Sequence, residues 1–170
     1  MKTFNSVFSG KTVLITGHTG FKGSWLSLWL LELGAEVVGF SNDIPTIPSM
    51  FTDLNLKDKI TDYRGDIRDM GSLSKVVLNE KPDFIFHLAA QPIVSESYAD
   101  PVGTITTNAV GTMNLMEVLR KIDWPCSVVL ITSDKSYDNV EWVWGYKETD
   151  PVGGKDIYSG SKGAAELIIK

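Results

Sequence analysis

Cysteine is nearly absent from this 170-residue chain: Cys126 is the single one. One thiol cannot close an intrachain disulfide, so a reducing, cytoplasmic compartment is expected. Cys126 itself reads as a small hydrophobe entering a buried strand. Histidine is scarce too. His18 and His87 lie far apart in sequence, with no cysteine or carboxylate cluster at ligand spacing, so no metal is expected. The chain has no basic run, and its formal net charge of −5 argues against nucleic acid or an anionic membrane as a partner. No apolar stretch approaches the roughly 18 residues of a membrane helix. Nor is there a signal-peptide layout, because Lys11 is charged and Val13–Gly17 is too short for an apolar core. Repeats, low-complexity tracts and interdomain linkers are missing. The remainder, 43% hydrophobic and 22% charged, has the make-up of one globular domain spanning residues 1–170.

Runs of β-branched residues alternate with helix-period segments, which predicts an α/β fold with a doubly wound parallel sheet. Thr12–Thr16 reads as the first strand and is followed by a helix from about Gly20 to Leu33. Trp25, Leu28, Trp29 and Leu31 supply its apolar side, and Gly34 ends it. Glu36–Phe40 is the second strand, Asn42–Leu56 an irregular connection, and Ile60–Gly65 the third strand. A helix over Met70–Asn79, leaving at Pro82, leads to a fourth strand at Asp83–His87. Asp100 and Pro101 open a long helix reaching Lys121, as N-cap and first residue. Ser127–Thr132 is the fifth strand, Tyr137–Asp156 a loop, and a last helix starts near Tyr158. The chain stops at Ile168-Ile169-Lys170 within an apolar helical pattern; we expect an N-terminal fragment, with a C-terminal substrate domain absent.

Between the first strand and first helix stands Gly17-His18-Thr19-Gly20-Phe21-Lys22-Gly23. Glycines permit φ > 0 and close backbone approach, while a helix N-terminus offers unpaired N–H groups and a positive dipole end to a pyrophosphate. A glycine pattern alone is weak, but strand, turn and helix in the first βα unit make a dinucleotide site of Rossmann type. An acidic residue is then expected at the end of the second strand to bind ribose hydroxyls. Ser41 stands there instead, and Asp43 comes two residues late. No arginine follows to receive a 2′-phosphate, so NAD is favoured over NADP, although Lys22 could neutralise phosphate. His18 either faces the cofactor or is an exposed loop residue.

Tyr158 and Lys162 are spaced i, i+4 and share one helix face. A nearby ammonium favours a phenolate, which can take a hydroxyl proton while hydride leaves the same carbon for a nicotinamide. Ser133, following the fifth strand, is placed to hydrogen-bond the reacting hydroxyl, whereas Thr132 better suits capping of the strand end.

Together these features resemble the extended short-chain dehydrogenase/reductase family across essentially the whole chain. The matching pieces are Thr16-Gly17 to Gly23, Gly65-Asp66-Ile67, His87-Leu88-Ala89-Ala90, Asn108 with Gly111-Thr112, and Tyr158/Lys162. The resemblance implies that Asp66 and Ile67 flank the adenine, that Leu88, Ala89 and Ala90 line the dinucleotide path, and that Asn108 steadies the active-site helix. Within the family, Ser133-Asp134-Lys135 lies where nucleotide-sugar 4,6-dehydratases carry Thr-Asp-Glu. Ala90-Gln91-Pro92 and Glu141–Tyr146 extend that likeness.

The resemblance implies a nucleotide-sugar substrate and a three-step reaction. Tyr158, aided by Lys162 and Ser133, deprotonates the sugar 4-hydroxyl as NAD takes hydride from C4. The ketone acidifies C5, water leaves across C5–C6, and hydride returns to C6. Asp134 matches the acid of the elimination. Lys135 occupies the base position, a role that requires burial or a neighbouring cation; a solvent-facing lysine is the alternative. Trp142, Trp144 and Tyr146 either wall the sugar or base, or pack under the loop. The helix over Pro101–Lys121 is apolar on more than one side, which in this family makes a homo-oligomer; a doubly packed core helix is the alternative. A nucleotide-sugar 4-epimerase or reductase shares most of these residues. A non-catalytic NAD-binding module would need neither Ser133 nor the Tyr158/Lys162 pair.

Overall fold

Short β-branched runs have no polar face to offer water, so each must lie inside a sheet covered on both sides. In the computed structural model, which describes residues 3–170, the central runs at Thr12–Thr16, Glu36–Ser41 and Phe84–His87 do, whereas Val129 in the edge strand is 45% exposed. Strands β1 (Thr12–Thr16), β2 (Glu36–Ser41), β3 (Thr61–Arg64), β4 (Phe84–His87) and β5 (Ser127–Leu130) form one parallel sheet in the order β3-β2-β1-β4-β5. Register pairs Thr16 with Phe40 on one side and with His87 on the other. The connection reverses direction between β1 and β4, and the crevice beyond the carboxyl ends of these two strands is where α/β sheets bind ligands.

The helices are α1 (Phe21–Glu32), α2 (Met50–Asp53), α3 (Met70–Glu80), α4 (Val94–Ala99), α5 (Pro101–Ile105), α6 (Gly111–Leu119) and α7 (Ile157–Ile169). One face of the sheet packs Leu14, Val38, Phe40 and Ile85 against Leu73 and Val77 of α3 and Leu115 and Val118 of α6. The other packs Val13, Ile15 and Val37 against Leu30 and Ala35. Among the described residues no helix is long and apolar enough to cross a membrane.

The structure corrects the sequence reading of α1. Its buried face is Gly23, Ser24, Ser27 and Leu30, while Trp25 and Trp29 are 54% and 53% exposed. Apolarity marks the wrong side here because α1 lies so close to the glycine turn that only small side chains fit beneath it. The serine hydroxyls stay satisfied inside this contact: Ser24 donates to the His18 carbonyl at 3.1 Å and Ser27 to that of Gly23 at 2.8 Å. Trp29 meets Phe4 edge-on.

Further differences are local. The connection after β2 contains α2, capped by Ser49 and carrying buried Phe51. A short helix, α4, fills the stretch before Asp100, and β5 stops at Leu130 instead of Thr132. The long helix opens as expected, with the Asp100 carboxylate accepting from the Gly103 amide, but it widens to a π turn over Thr106–Val110 and ends at Leu119. Such widened turns gather at functional sites, and Asn108 sits in this one. Cys126 is half-buried just before β5, where burial pushes its thiol up to about 11, with a smaller push from Asp83.

Candidate active site

The turn after β1 folds as its glycines demand. Gly17 takes φ +76°, and a Cβ there would stand 2.8 Å from the Ala89 amide nitrogen. A Cβ on Gly23 would overlap the Gly17 carbonyl oxygen, so this glycine lets α1 dock onto the turn. Gly20 caps α1 without any side-chain hydrogen bond, leaving the first-turn amides to an external acceptor.

Those amides open on a cleft of about 570 Å³ at the β1/β4 switch point. Gly17, Thr19, Gly20, Phe21, Lys22 and Gly23 form one wall, and Ser41 and Asp43 stand at the end of β2. Asp66 and Ile67 lie after β3, Leu88, Ala89 and Ala90 after β4, and Ser133, Tyr158 and Lys162 close the far end. Tertiary folding thus brings residues spread over most of the chain into one groove.

The cleft suits an anion. Burial holds the Lys162 ammonium below its ordinary value, and the charge of Lys22 lowers it further, so the two cations feel each other. A diphosphate among the turn amides and Lys22 would relieve that repulsion. The bare glycine backbone, the uncapped helix and Lys22 therefore fit the pyrophosphate of a dinucleotide.

Asp156 caps α7 and accepts from the Ser159 amide at 2.9 Å. Lys162 lies one turn beyond Tyr158, with its Nζ 5.9 Å from the ring centroid. Thr132, two residues beyond β5, lines the cleft and donates to Glu166 at 2.6 Å, which ties this segment to α7 instead of capping the strand. Ser133 both lines the cleft and caps the turn Asp134–Ser136, accepting from the Lys135 amide at 3.2 Å. Asp134 and Lys135 are exposed and do not line the cleft. The Asp156 carboxyl is held below the usual range chiefly by the Ser159 amide, with the charge of Lys135 the smallest contribution.

Two expected cofactor residues play other parts. The side chain of His18 is buried and turned away from the cleft, toward Asp62 and Ser41, so it is neither an exposed histidine nor a wall of the groove. Asn108 does not line the cleft either. It accepts from the Gln91 amide at 2.8 Å, donates to the Gln91 carbonyl at 3.1 Å and donates to Ser161 at 2.9 Å. Ser161 in turn donates to the Tyr158 carbonyl at 2.6 Å, so hydrogen bonds link Asn108 to the helix that carries Tyr158. In the loop, Tyr146 stacks between Tyr137 and Trp142 and Trp144 is 74% exposed; none of them lines the cleft.

His87 is a residue that pattern reading passed over. Thr112 spends its only hydroxyl hydrogen on the Asn108 carbonyl at 2.7 Å, so it accepts from His87 Nε2–H at 3.2 Å. Nδ1 then accepts from the Thr16 hydroxyl at 2.7 Å, and that oxygen accepts from the Ala89 amide at 3.2 Å. A directed chain of hydrogen bonds thus runs from the cleft wall to the Asn108 turn. A histidine closing an apolar strand signals that partners are needed, but only the folded register names them.

Burial, and secondarily Lys162, pushes His87 down from 6.5 to about 4. The unfolded chain therefore binds a proton that the native chain refuses, and His87 favours the native state fully only above pH 6.5. Stability is expected to decline from about pH 6.5 toward 4, by on the order of 3 kcal/mol from this residue. In urea titrations across this range, His87→Gln should flatten that decline; an unchanged pH slope would refute the assignment.

A sequence profile of the GDP-mannose 4,6-dehydratase family matches residues 14–170. Over 161 residues the chain is 53% identical to CDP-glucose 4,6-dehydratase of Salmonella typhimurium, covering 95% of this chain and 45% of that protein. The UDP-glucose 4-epimerase of Thermus thermophilus, solved with NAD, superposes with a TM-score of 0.77 at 29% identity, over 93% of this chain and 49% of that one. That of Thermotoga maritima, solved with UDP-glucose, gives a TM-score of 0.81 at 25% identity, over 93% and 50%. The chain spans about half the length of these relatives.

Proposed function

Because the chain belongs to the GDP-mannose 4,6-dehydratase family, we propose that it is the NAD-binding part of a lyase that dehydrates CDP-glucose to its 4-keto-6-deoxy derivative. The observation that carries this reading is the meeting of Ser133, Tyr158 and Lys162 with the glycine turn around one cleft. The 53% identity to a CDP-glucose 4,6-dehydratase supports the choice of sugar nucleotide.

Each residue has a part. The amides at the start of α1, with Lys22, hold the pyrophosphate; Ser41 holds the adenosine ribose, and Asp66 and Ile67 flank the adenine. Leu88, Ala89 and Ala90 give an apolar path to the far end of the cleft. There Ser133 orients the sugar 4-hydroxyl and Tyr158 takes its proton, while the Lys162 ammonium stabilises the negative charge that develops on the phenol oxygen. NAD held by these residues would supply a reversible hydride acceptor, for C4 first and C6 later, with no net consumption of cofactor. Between these events Asp134 protonates the departing 6-hydroxyl and Lys135 removes the C5 proton. Both stand exposed beside Ser133, so their roles require the substrate or further chain to cover them.

Outside the cleft, Val102, Ile105 and Met113 form an open apolar face on α5 and α6, which would pair two copies of the complete enzyme as a homo-oligomer.

The decisive experiment supplies CDP-glucose to the full chain and reads the 4-keto sugar by its absorbance in base. Appearance of that chromophore supports the reading. Formation of a C4 epimer without it would favour the second reading, a nucleotide-sugar 4-epimerase, which the superposition on two such enzymes supports. Lys135→Met is expected to abolish solvent exchange at C5 while leaving dinucleotide binding unchanged. Retained exchange, followed by deuterium incorporation, would remove Lys135 from the mechanism.

A further inference from the structure

Beneath the phosphate turn lies a buried polar chain that the reaction itself does not use. His18 Nε2 stands 2.9 Å from Asp62 Oδ1, and Arg64 donates from Nε and Nη2 to the other oxygen, at 3.1 and 2.8 Å. On the opposite side of the ring, Nδ1 lies 3.0 Å from the Ser41 hydroxyl. Gly39 makes room for the imidazole: a Cβ there would overlap it. Phe51 closes the ring in from the side, edge to face at 5.3 Å.

A carboxylate only accepts, so Nε2 carries the hydrogen and donates it to Asp62. Burial, opposed in part by Asp62, pushes His18 below the ordinary histidine value and so favours the neutral ring. Nδ1 of that tautomer is bare and must accept, which takes the single hydroxyl hydrogen of Ser41. The Ser41 oxygen is left with lone pairs alone. One is approached distantly by the Thr19 amide, at 3.5 Å, and the residue lines the cleft where the second strand ends.

We propose that His18 and Asp62 set the polarity of Ser41, making it an obligate hydrogen-bond acceptor that selects a ribose hydroxyl over a ribose phosphate. The inference rests on the reading that this cleft holds a dinucleotide, and it explains how a serine substitutes for an acidic residue. A 2′-hydroxyl can donate to the Ser41 oxygen. A 2′-phosphate offers only acceptors and would meet lone pair with lone pair. The nearby guanidiniums that could rescue it are committed: Arg64 to Asp62, and Arg68 to Asp66 at 2.5 to 3.0 Å. Asp43, which also lines the cleft, is the competing acceptor.

The full chain, ¹⁵N-labelled at histidine, is titrated with NAD and NADP by calorimetry, and its ring nitrogens are read by long-range ¹H–¹⁵N correlation at neutral pH. The expected spectrum has His18 protonated at Nε2 and bare at Nδ1. Ser41→Ala should weaken NAD about five- to tenfold and leave NADP unchanged, narrowing the ratio by that factor. Ser41→Asp, which can only accept, should keep the preference for NAD and drive a proton onto Nδ1. A wild-type ring protonated at Nδ1 would overturn the proposal. So would a Ser41→Ala chain with an unaltered NAD/NADP ratio, which would point to Asp43. A wild-type chain that binds neither dinucleotide would overturn the proposed function along with it, so the two failures are told apart.

Discussion

Gly23→Ala is expected to abolish dinucleotide binding while the sheet still folds. The added Cβ would overlap the Gly17 carbonyl oxygen and stand 2.7 Å from the His18 Cα, both of them backbone positions. Neither can rotate out of the way as a side chain could, so α1 must lift or the turn must open. Lifting α1 separates its first-turn amides from the phosphates, and losing two hydrogen bonds to a charged group costs about 3–6 kcal/mol, or more than about 100-fold in affinity. Overpacking adds about 1–3 kcal/mol of destabilisation. Gly160→Ala is the matched control: a Cβ there meets nothing within 4 Å at the end of the first turn of α7. It should leave binding intact and stabilise the helix by up to about 1 kcal/mol. Calorimetric titration and urea unfolding of both variants check this. A Gly23→Ala chain that binds NAD like the wild type would show that the turn amides do not hold the pyrophosphate.

Tyr158→Phe carries the other large effect. On the proposed function, removing this oxygen deletes the group that takes the 4-hydroxyl proton, and turnover should fall by about 10²- to 10⁴-fold. The phenyl ring still fills the same buried position in α7, so unfolding should change little, and dinucleotide affinity should stay within about fivefold. The split between turnover and binding separates a proton acceptor from a packing residue. Steady-state production of the 4-keto sugar, set beside NAD titration, measures it. Turnover within tenfold of the wild type would dismiss Tyr158 from the chemistry.

Local chemistry made much of this molecule legible. Four apolar runs, the proline and aspartate opening α5 and the glycine after α1 are signals carried by neighbouring residues, and each formed within a few positions of its expected place. The glycine turn was readable for the same reason: its φ requirement and its place between strand and helix are properties of consecutive residues. Tyr158 and Lys162 share a helix face by spacing alone.

Distance in the chain hid the rest. Hydrophobic period put Trp25 and Trp29 inward, because it counts apolarity and cannot know that α1 must lie tight against a bare backbone, where only glycine and serine fit. Histidine 18 looked like a cofactor contact or a loop residue, because its partners Ser41 and Asp62 arrive on neighbouring strands. The link from Ala89 through Thr16, His87 and Thr112 to Asn108 joins two strands and a helix, and no run of residues announces it. Sequence order, then, sets backbone preferences and the reach of a few side chains; which way a buried polar group points is settled only when strand register and helix docking bring its partner within hydrogen-bond range.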